Sequence, residues 1–341
     1  MYNPYALAHK TPTKKDYLDT TDFDQSEMLD LIKVSTTVRQ FLRSGGNLDT
    51  LHHKNLAMIF AQYAADTRMS FEVAMEQLSG HAIALEPGSV ALDERFAIAD
   101  AGKYLSTTAD AIMTSGVDHK ALLALAESAT APVINGGSNY NRPVQELADI
   151  ITIFDYLPEG KPLGKVRFVF VGDSSMVCAS LMMITTKMGM EFVQYAPPAK
   201  WLSDEFLKLG RANTQRYGGS VHVSDNPAVL EGADFIYTDA WDRAYDQQVP
   251  KDVYMRDFYP KYQVNSELLA ATGNPNVKFM HCLPAHRGEE VTDDIIDGPR
   301  SIVWAEAANY LVAARGVALY FGGVAEAALD EIKHQEEDQH A

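Results

Sequence analysis

The segment Met280-His281-Cys282-Leu283-Pro284-Ala285-His286-Arg287-Gly288-Glu289-Glu290-Val291 sets a thiol beside an imidazole at the end of an apolar run. A cysteine activated by histidine is a nucleophile, so covalent catalysis is the first chemistry to weigh. Neighbouring residues of a strand point to opposite faces, however, which predicts that Cys282 lines a site and is not half of a dyad with His281. A second segment, Ala64-Ala65-Asp66-Thr67-Arg68-Met69-Ser70-Phe71-Glu72, opens a helical stretch with an acid, a hydroxyl and a base. Aspartate is a favoured helix N-cap, accepting from the first free N–H groups. Asp66 is therefore expected to cap a helix starting at Thr67. Its other reading is a carboxylate that faces a cleft and binds a cationic group, and one carboxylate can do both. Asp239, in Asp239-Ala240-Trp241, offers the same choice between ligand contact and strand-end cap. The histidines show no metal-ligand spacing, so no metal or other cofactor is expected. Gly136-Gly137-Ser138 and Tyr217-Gly218-Gly219 read as turns, too weak to mark a nucleotide site.

The elements that must position these groups alternate along the chain. Asp24–Leu42 carries apolar residues at helical spacing. Asn55–Phe60 reads as a strand, Thr67–Leu78 as a helix, His81–Leu85 as a strand, Ala97–Leu105 as a helix, Ala111–Met113 as a strand and Lys120–Glu127 as a helix. Ala131–Asn135 is the next strand, and Pro143–Tyr156 a helix with proline in its first turn. The second half follows the same logic. Val166–Val171 has the apolar run of a parallel strand buried on both faces. A helix through Ser180–Lys187, a strand at Glu191–Tyr195 and a helix near Asp204–Arg211 come next. Strands at Ser220–Val223, Ala233–Thr238 and Val277–Cys282 precede a long helix at about Ala305–Tyr320. The tail Asp330–Ala341 reads as a solvated helix end and a frayed terminus. Alternating strands and helices predict an α/β protein with parallel sheets in two domains. Ligands in such folds lie outside the carboxyl ends of the strands. Asp66, Ser115, Gly136, Gly172, Asp239 and Cys282 all fall there and are candidates to line one cleft.

Composition narrows the function classes. The chain has 341 residues, 46% hydrophobic and 22% charged, which predicts about two soluble globular domains. A net charge of −17 argues against nucleic acid or an anionic membrane as partner, since both are met by clustered Lys and Arg. No apolar run reaches the ~20 residues of a membrane span, and the N-terminus lacks the pattern of a signal peptide. The two cysteines, Cys178 and Cys282, form no disulfide framework and are expected as reduced thiols of a cytoplasmic protein.

From about Asp16 to Gly322 the chain resembles the ornithine/aspartate/putrescine carbamoyltransferase family, most of all its putrescine branch. The resemblance rests on Met58-Ile59-Phe60, Arg68-Met69-Ser70-Phe71-Glu72, Pro132-Val133-Ile134-Asn135-Gly136 and Pro143-Val144-Gln145-Glu146-Leu147. It continues through Ile184-Thr185-Thr186-Lys187-Met188-Gly189-Met190, Phe258-Tyr259-Pro260-Lys261-Tyr262-Gln263-Val264-Asn265 and His281-Cys282-Leu283-Pro284-Ala285. It implies two Rossmann-like domains joined by interdomain helices, an N-terminal carbamoyl phosphate-type domain at 1–150 and an amine- or amino-acid-binding domain at 151–304. It also implies a C-terminal helix at 305–341 returning to the first domain, and a homotrimer acting on small molecules.

Residue by residue, the family's Ser-x-Arg-Thr-Arg phosphate loop falls on Ala64 to Arg68, with Asp66 at the first arginine and Thr67 and Arg68 retained. In that loop, backbone N–H groups, the helix dipole and guanidinium hold phosphate. The family's arginine at the end of the third strand falls on Ser115. Its His-Pro-x-Gln motif appears as Arg142-Pro143-Val144-Gln145, and its late-helix arginine falls on Tyr310. The loop that carries a Glu or Lys toward a neighbouring subunit reads Asp93-Glu94-Arg95-Phe96-Ala97. On the acceptor side Asp239 and Trp241 match the family's Asp-x-Trp, whose carboxylate binds an ammonium. Tyr245 and Asp246 fall in the loop that shapes a diamine pocket, and Met176 stands where Asn or Gln is common. His281, Cys282 and the Leu283 carbonyl match the signature that lines the substrate. The implied substrate-binding set is Asp66, Thr67, Arg68, Arg142, Gln145, Asp239, Trp241, Tyr245, His281, Cys282, Leu283 and Tyr310, with no catalytic residue assigned.

Exchanging an arginine for Asp66 turns attraction for a phosphate into repulsion, about 4 kcal/mol per unit-charge pair at ~4 Å and an effective dielectric of ~20. Three functions are therefore compatible with the sequence. One is transfer of a carbamoyl or related group to a putrescine- or ornithine-like amine from a non-standard donor site. The others are a different reaction with a neutral or cationic first ligand, and a non-catalytic homologue.

Overall fold

The computed structural model describes residues 3, 5–90, 92, 96–241 and 250–339. The chain divides into two compact units, Met1–Ile151 with Asn309–Ala341, and Thr152–Ala308.

The first unit opens with helix α1 (Gln25–Arg43), capped by Asp24 through the N–H of Glu27. Then β1 (Asn55–Phe60), α2 (Ala65–Gln77), β2 (His81–Leu85), α3 (Ile98–Leu105), β3 (Ala111–Ser115), α4 (His119–Ser128), β4 (Val133–Asn135) and α5 (Pro143–Asp155) follow. The four strands form a parallel sheet in the order β2-β1-β3-β4. One face of it packs Ala57, Ile59, Ile112 and Val133 against Leu105, Leu122 and Leu125 of the helices.

In the second unit come β5 (Arg167–Val171), α6 (Met176–Lys187), β6 (Glu191–Tyr195), α7 (Asp204–Tyr217), β7 (Ser220–Ser224) and β8 (Phe235–Thr238). They are followed by α8 (Lys251–Phe258), α9 (Ser266–Ala271), β9 (Lys278–Met280) and α10 (Asp293–Ile296). Its parallel sheet runs β7-β6-β5-β8-β9. Both faces of β5 are covered, which explains its unbroken apolar run. Val169 and Val171 join the cluster of Trp241 and Phe258, while Phe168 and Phe170 stack near Tyr237. Burying each phenylalanine contributes about 1.5–3 kcal/mol.

Two helices carry the chain across the division: α5, and α11 (Val303–Phe321). A last helix, α12 (Ala325–Gln339), packs on α1. The tail is helical to residue 339, as its reading as a helix end expects, but it is not solvated all round, because Leu329 and Ile332 are buried and Glu331 accepts from Thr50. Among the described residues no single helix is long and apolar enough to cross a membrane. The apolar character of α11 reflects burial on nearly every side.

Each sheet has one place where strand order reverses. In the first sheet β1 lies between β2 and β3, and in the second β5 lies between β6 and β8. Connections leave in opposite directions at such a point and open a crevice at the carboxyl ends of the two central strands.

Candidate functional site

In the first unit the crevice is bordered by the start of α2, the end of β3 and the loop after β4. Helix α2 begins earlier than its sequence suggests. Ala64 is the N-cap residue, without a side-chain cap bond, and its carbonyl accepts the N–H of Arg68 at 3.0 Å. Asp66 therefore lies within the first turn and is not the cap. The capping geometry, in which a side chain accepts from N–H groups two or three residues ahead, belongs to the flanking position held by Ala64. The Asp66 carboxylate instead lies 3.7 Å from the Arg142 guanidinium, with side chains 56% and 19% exposed respectively.

Thr67, the next residue, is fully buried, and its hydroxyl lies 3.1 Å from the Tyr310 phenol, which donates to the Gly136 carbonyl at 3.3 Å. Burial, first of all, pushes the Tyr310 hydroxyl up to about 12, so it stays neutral; Arg142 and the Thr67 bond oppose that shift, and Asp66 adds to it. Gly136 has to be glycine, since a Cβ there would stand 2.7 Å from Met113 Sδ and 3.0 Å from the Thr114 carbonyl. The loop that presents Arg142 is held by Asn135, whose side chain accepts from Gly137 N at 2.9 Å and donates to Asn141 Oδ1 at 2.6 Å.

Two expected members of this group are engaged elsewhere. Arg68 donates to Glu72 at 2.9 Å and pairs with Glu86. Gln145 is buried and donates to Asp149 one turn later at 2.8 Å. Ser115 ends β3 almost fully buried. The structure thus brings Asp66, Thr67, Arg142 and Tyr310 together, and directs Arg68 and Gln145 to neighbours on their own or adjacent elements.

In the second unit Asp239 follows β8 at the corresponding crevice, almost fully buried. One carboxylate oxygen accepts from Ala240 N at 2.8 Å and lies 3.3 Å from Cys282 Sγ. The other is 3.4 Å from the hydroxyl of Ser175, the N-cap of α6. Asp239 thus takes its place in a polar corner with Ser175 and Cys282. Gly172 allows that corner through its φ of +134°, with Trp241 Nε1 only 3.7 Å from where a Cβ would lie. Trp241 itself is a core residue, stacked on Phe258 at 5.3 Å, and its Nε1 has no hydrogen-bond partner among the described residues. On the same side Lys200 lies 3.4 Å from Asp173 and 3.8 Å from Asp257.

The strand before the thiol is shorter than its apolar run, because β9 ends at Met280. His281 and Cys282 diverge through different partners. The His281 ring is fully buried, with Nδ1 accepting from Leu283 N at 2.9 Å and Nε2 lying 3.3 Å from Glu290. Accepting at Nδ1 leaves the proton on Nε2. Its backbone N–H donates to Glu306 at 3.0 Å, a carboxylate that also receives the Tyr237 hydroxyl. His281 therefore acts by fixing Leu283, whose φ of +54° is unusual for a branched residue. Tyr245, Asp246 and Asp93–Arg95 lie outside the described residues.

A group with no recognised sequence spacing also emerges. His286, Glu289 and Glu290 bring ligand-type atoms within 4.8 Å of one another. A turn, not a helix or strand, creates that proximity, so no periodicity in the sequence reports it.

Two parallel α/β units, each with polar residues at its switch point, define a class of small-molecule-binding proteins. Residues 15–155 match the aspartate/ornithine carbamoyltransferase carbamoyl-P binding domain and residues 164–321 the Asp/Orn binding domain. The chain belongs to the aspartate/ornithine carbamoyltransferase family. A putrescine carbamoyltransferase of Mycoplasma capricolum is 37% identical over 315 residues, covering 90% of this chain and 86% of that protein. An ornithine carbamoyltransferase of Pyrococcus abyssi is 40% identical over 312 residues, covering 91% and 96%. The solved structure of ornithine carbamoyltransferase from Pyrococcus furiosus superposes with a TM-score of 0.84 at 38% identity, covering 89% of this chain and 96% of that one.

Proposed function

We propose that this protein is a transferase of the putrescine/ornithine type that keeps the amine site of its family and has a rebuilt donor site. The observation that carries the reading is the ion pair of Asp66 with Arg142. A phosphate dianion approaching the start of α2 meets a guanidinium already neutralised and a carboxylate that repels it. A donor carrying a carbamoyl or related group on an uncharged leaving group suits that pair better. Its polar atoms can be shared between the Arg142 donors and the Asp66 acceptor without a net charge to match.

The second unit supplies the acceptor side. Asp239, beside Ser175 and Cys282, offers a carboxylate to the ammonium of a small amine. Transfer forms a bond from an amine nitrogen to the carbonyl carbon and breaks the bond to the leaving group, and the displaced amine proton passes to that group or to water. Within this reading Asp66, Thr67, Arg142 and Tyr310 serve the donor. Asp239, Cys282 and the Leu283 carbonyl serve the acceptor, a role the family resemblance also gives to Tyr245. Arg68, Gln145, Trp241 and His281 hold these residues in place.

We further infer a cytoplasmic homotrimer. Exposed apolar side chains on α2 and the edge strand β2, Met69 (65%), Val73 (38%) and Ile83 (42%), favour contact with a second copy.

The test offers carbamoyl phosphate with putrescine or ornithine and measures ureido product. Turnover below one-hundredth of that of a putrescine carbamoyltransferase run in parallel is expected. Comparable turnover would show that the donor site is not altered in function. Loss of amine binding as well as turnover would favour a non-catalytic homologue.

A further inference from the structure

We propose that His286, Glu289 and Glu290 form a binding site for a divalent cation of the zinc class. The three side chains project from one tight turn, in which Gly288 has a φ of +83° and its N–H donates to the Val291 carbonyl at 2.8 Å. His286 Nδ1 lies 4.0 Å from Oε2 of Glu289 and 4.0 Å from Oε2 of Glu290. One imidazole nitrogen and two carboxylate oxygens are a donor set that suits zinc, cobalt(II) or manganese(II) better than calcium, which takes oxygen alone.

Glu290 makes this more than a group of acids on a surface. It is completely buried, and its Oε2 has no hydrogen-bond partner among the described residues. Its other oxygen accepts from His286 N at 2.5 Å and lies 3.3 Å from His281 Nε2. Because His281 Nδ1 accepts from Leu283 N, that ring donates as a neutral group and brings no compensating charge. A buried carboxylate oxygen with no donor is costly, and a cation shared with His286 and Glu289 removes the cost.

Glu289 is aimed by the Lys251 ammonium at 2.5 Å and the Tyr254 hydroxyl at 2.8 Å. Such outer contacts orient a ligand carboxylate. In a tetrahedral shell with bonds of about 2.0–2.2 Å, ligand atoms stand about 3.4 Å apart, so atoms now within 4.8 Å of one another must draw in by between about half an ångström and about 1.4 Å. The His286 and Glu289 side chains are 37% and 16% exposed, which leaves a path for the ion and room for water as a further ligand.

Through Glu290 the ion would steady His281, and with it the segment that carries Cys282 and Leu283. The test of this site does not depend on turnover. Full-length protein is dialysed against micromolar Zn2+ and its zinc content measured by mass spectrometry, for the wild type and for His286→Gln and Glu289→Gln. One zinc per chain is expected in the wild type, with at least tenfold weaker binding in each variant whose metal-free circular dichroism melt matches the wild type. In the wild type alone, Zn2+ should protect the His286 peptide from diethylpyrocarbonate while exposed His52 and His334 remain reactive. That protection decides the matter should a variant fold poorly. Absence of bound zinc, unchanged binding in folded variants, or full reactivity of His286 at saturating Zn2+ would each overturn the proposal.

Discussion

Replacing Asp66 with asparagine removes one negative charge from the first turn of α2 and leaves the side-chain volume almost unchanged. Arg142, 3.7 Å away, loses one counter-charge, and an anion near it no longer meets that carboxylate. Unscreened at an effective dielectric of ~20, each unit-charge interaction at this range is worth about 4 kcal/mol. The Asp66 side chain is 56% exposed, so solvent reduces each interaction to about 1 kcal/mol. A phosphate dianion meets two such like-charge terms, and relief of both is worth about 2 kcal/mol, roughly 30-fold in affinity. The same substitution removes a favourable acid from a helix start, costing about 0.3–1 kcal/mol of stability. Titration calorimetry with carbamoyl phosphate and with inorganic phosphate measures the first quantity, and urea unfolding the second. Affinities within twofold of the wild type for both ligands would refute the electrostatic reasoning. A neutral amide of similar size should bind the two proteins alike.

Asp239→Asn should weaken putrescine or ornithine binding by about 10- to 100-fold, the range of one charged hydrogen bond of about 1.5–3 kcal/mol, read by calorimetry. Tyr310→Phe removes the phenol shared by Thr67 and Gly136 and should cost about 1–2 kcal/mol in urea unfolding, because both buried partners lose it. Asp24, the cap of α1, is held below its ordinary 3.8, first by the N–H of Glu27 and then by the Ser26 hydroxyl. A depressed folded-state value means that its stabilisation is complete above about pH 4 and lost as pH falls through the folded value. Asp24→Ala should therefore lower stability at neutral pH and flatten the acid limb of the stability curve, measured by thermal melts from pH 2 to 6.

Much of the scaffold is legible in local pattern. Strands β1 and β6 have the limits that their apolar runs suggest, since a buried parallel strand shows its length as hydrophobicity, and the half-exposed edge strand β2 also has its expected limits. Helices α8, α9 and α10 escape that reading because they are short and partly exposed, with too few turns to display a period. Strand β9 is overestimated because His281 and Cys282 prolong its apolar run in sequence, whereas the His281 N–H bonds to the Glu306 side chain and not to a neighbouring strand.

By itself, the sequence determined the family, the two parallel sheets and the absence of the expected arginines at residues 66, 115 and 310. Those are properties of residue type and register, carried by every chain that keeps the motifs. Only the tertiary structure decided what the substituted residues do. Asp66 lies two residues beyond the N-cap position of α2 and pairs with Arg142, distant in sequence. Tyr310 links Thr67, 243 residues away in sequence, to Gly136, 174 residues away. A turn folds Glu290 beneath His281, and His286 above it. Charges and hydrogen bonds act over a few ångströms, and only the folded chain sets which groups come within that reach.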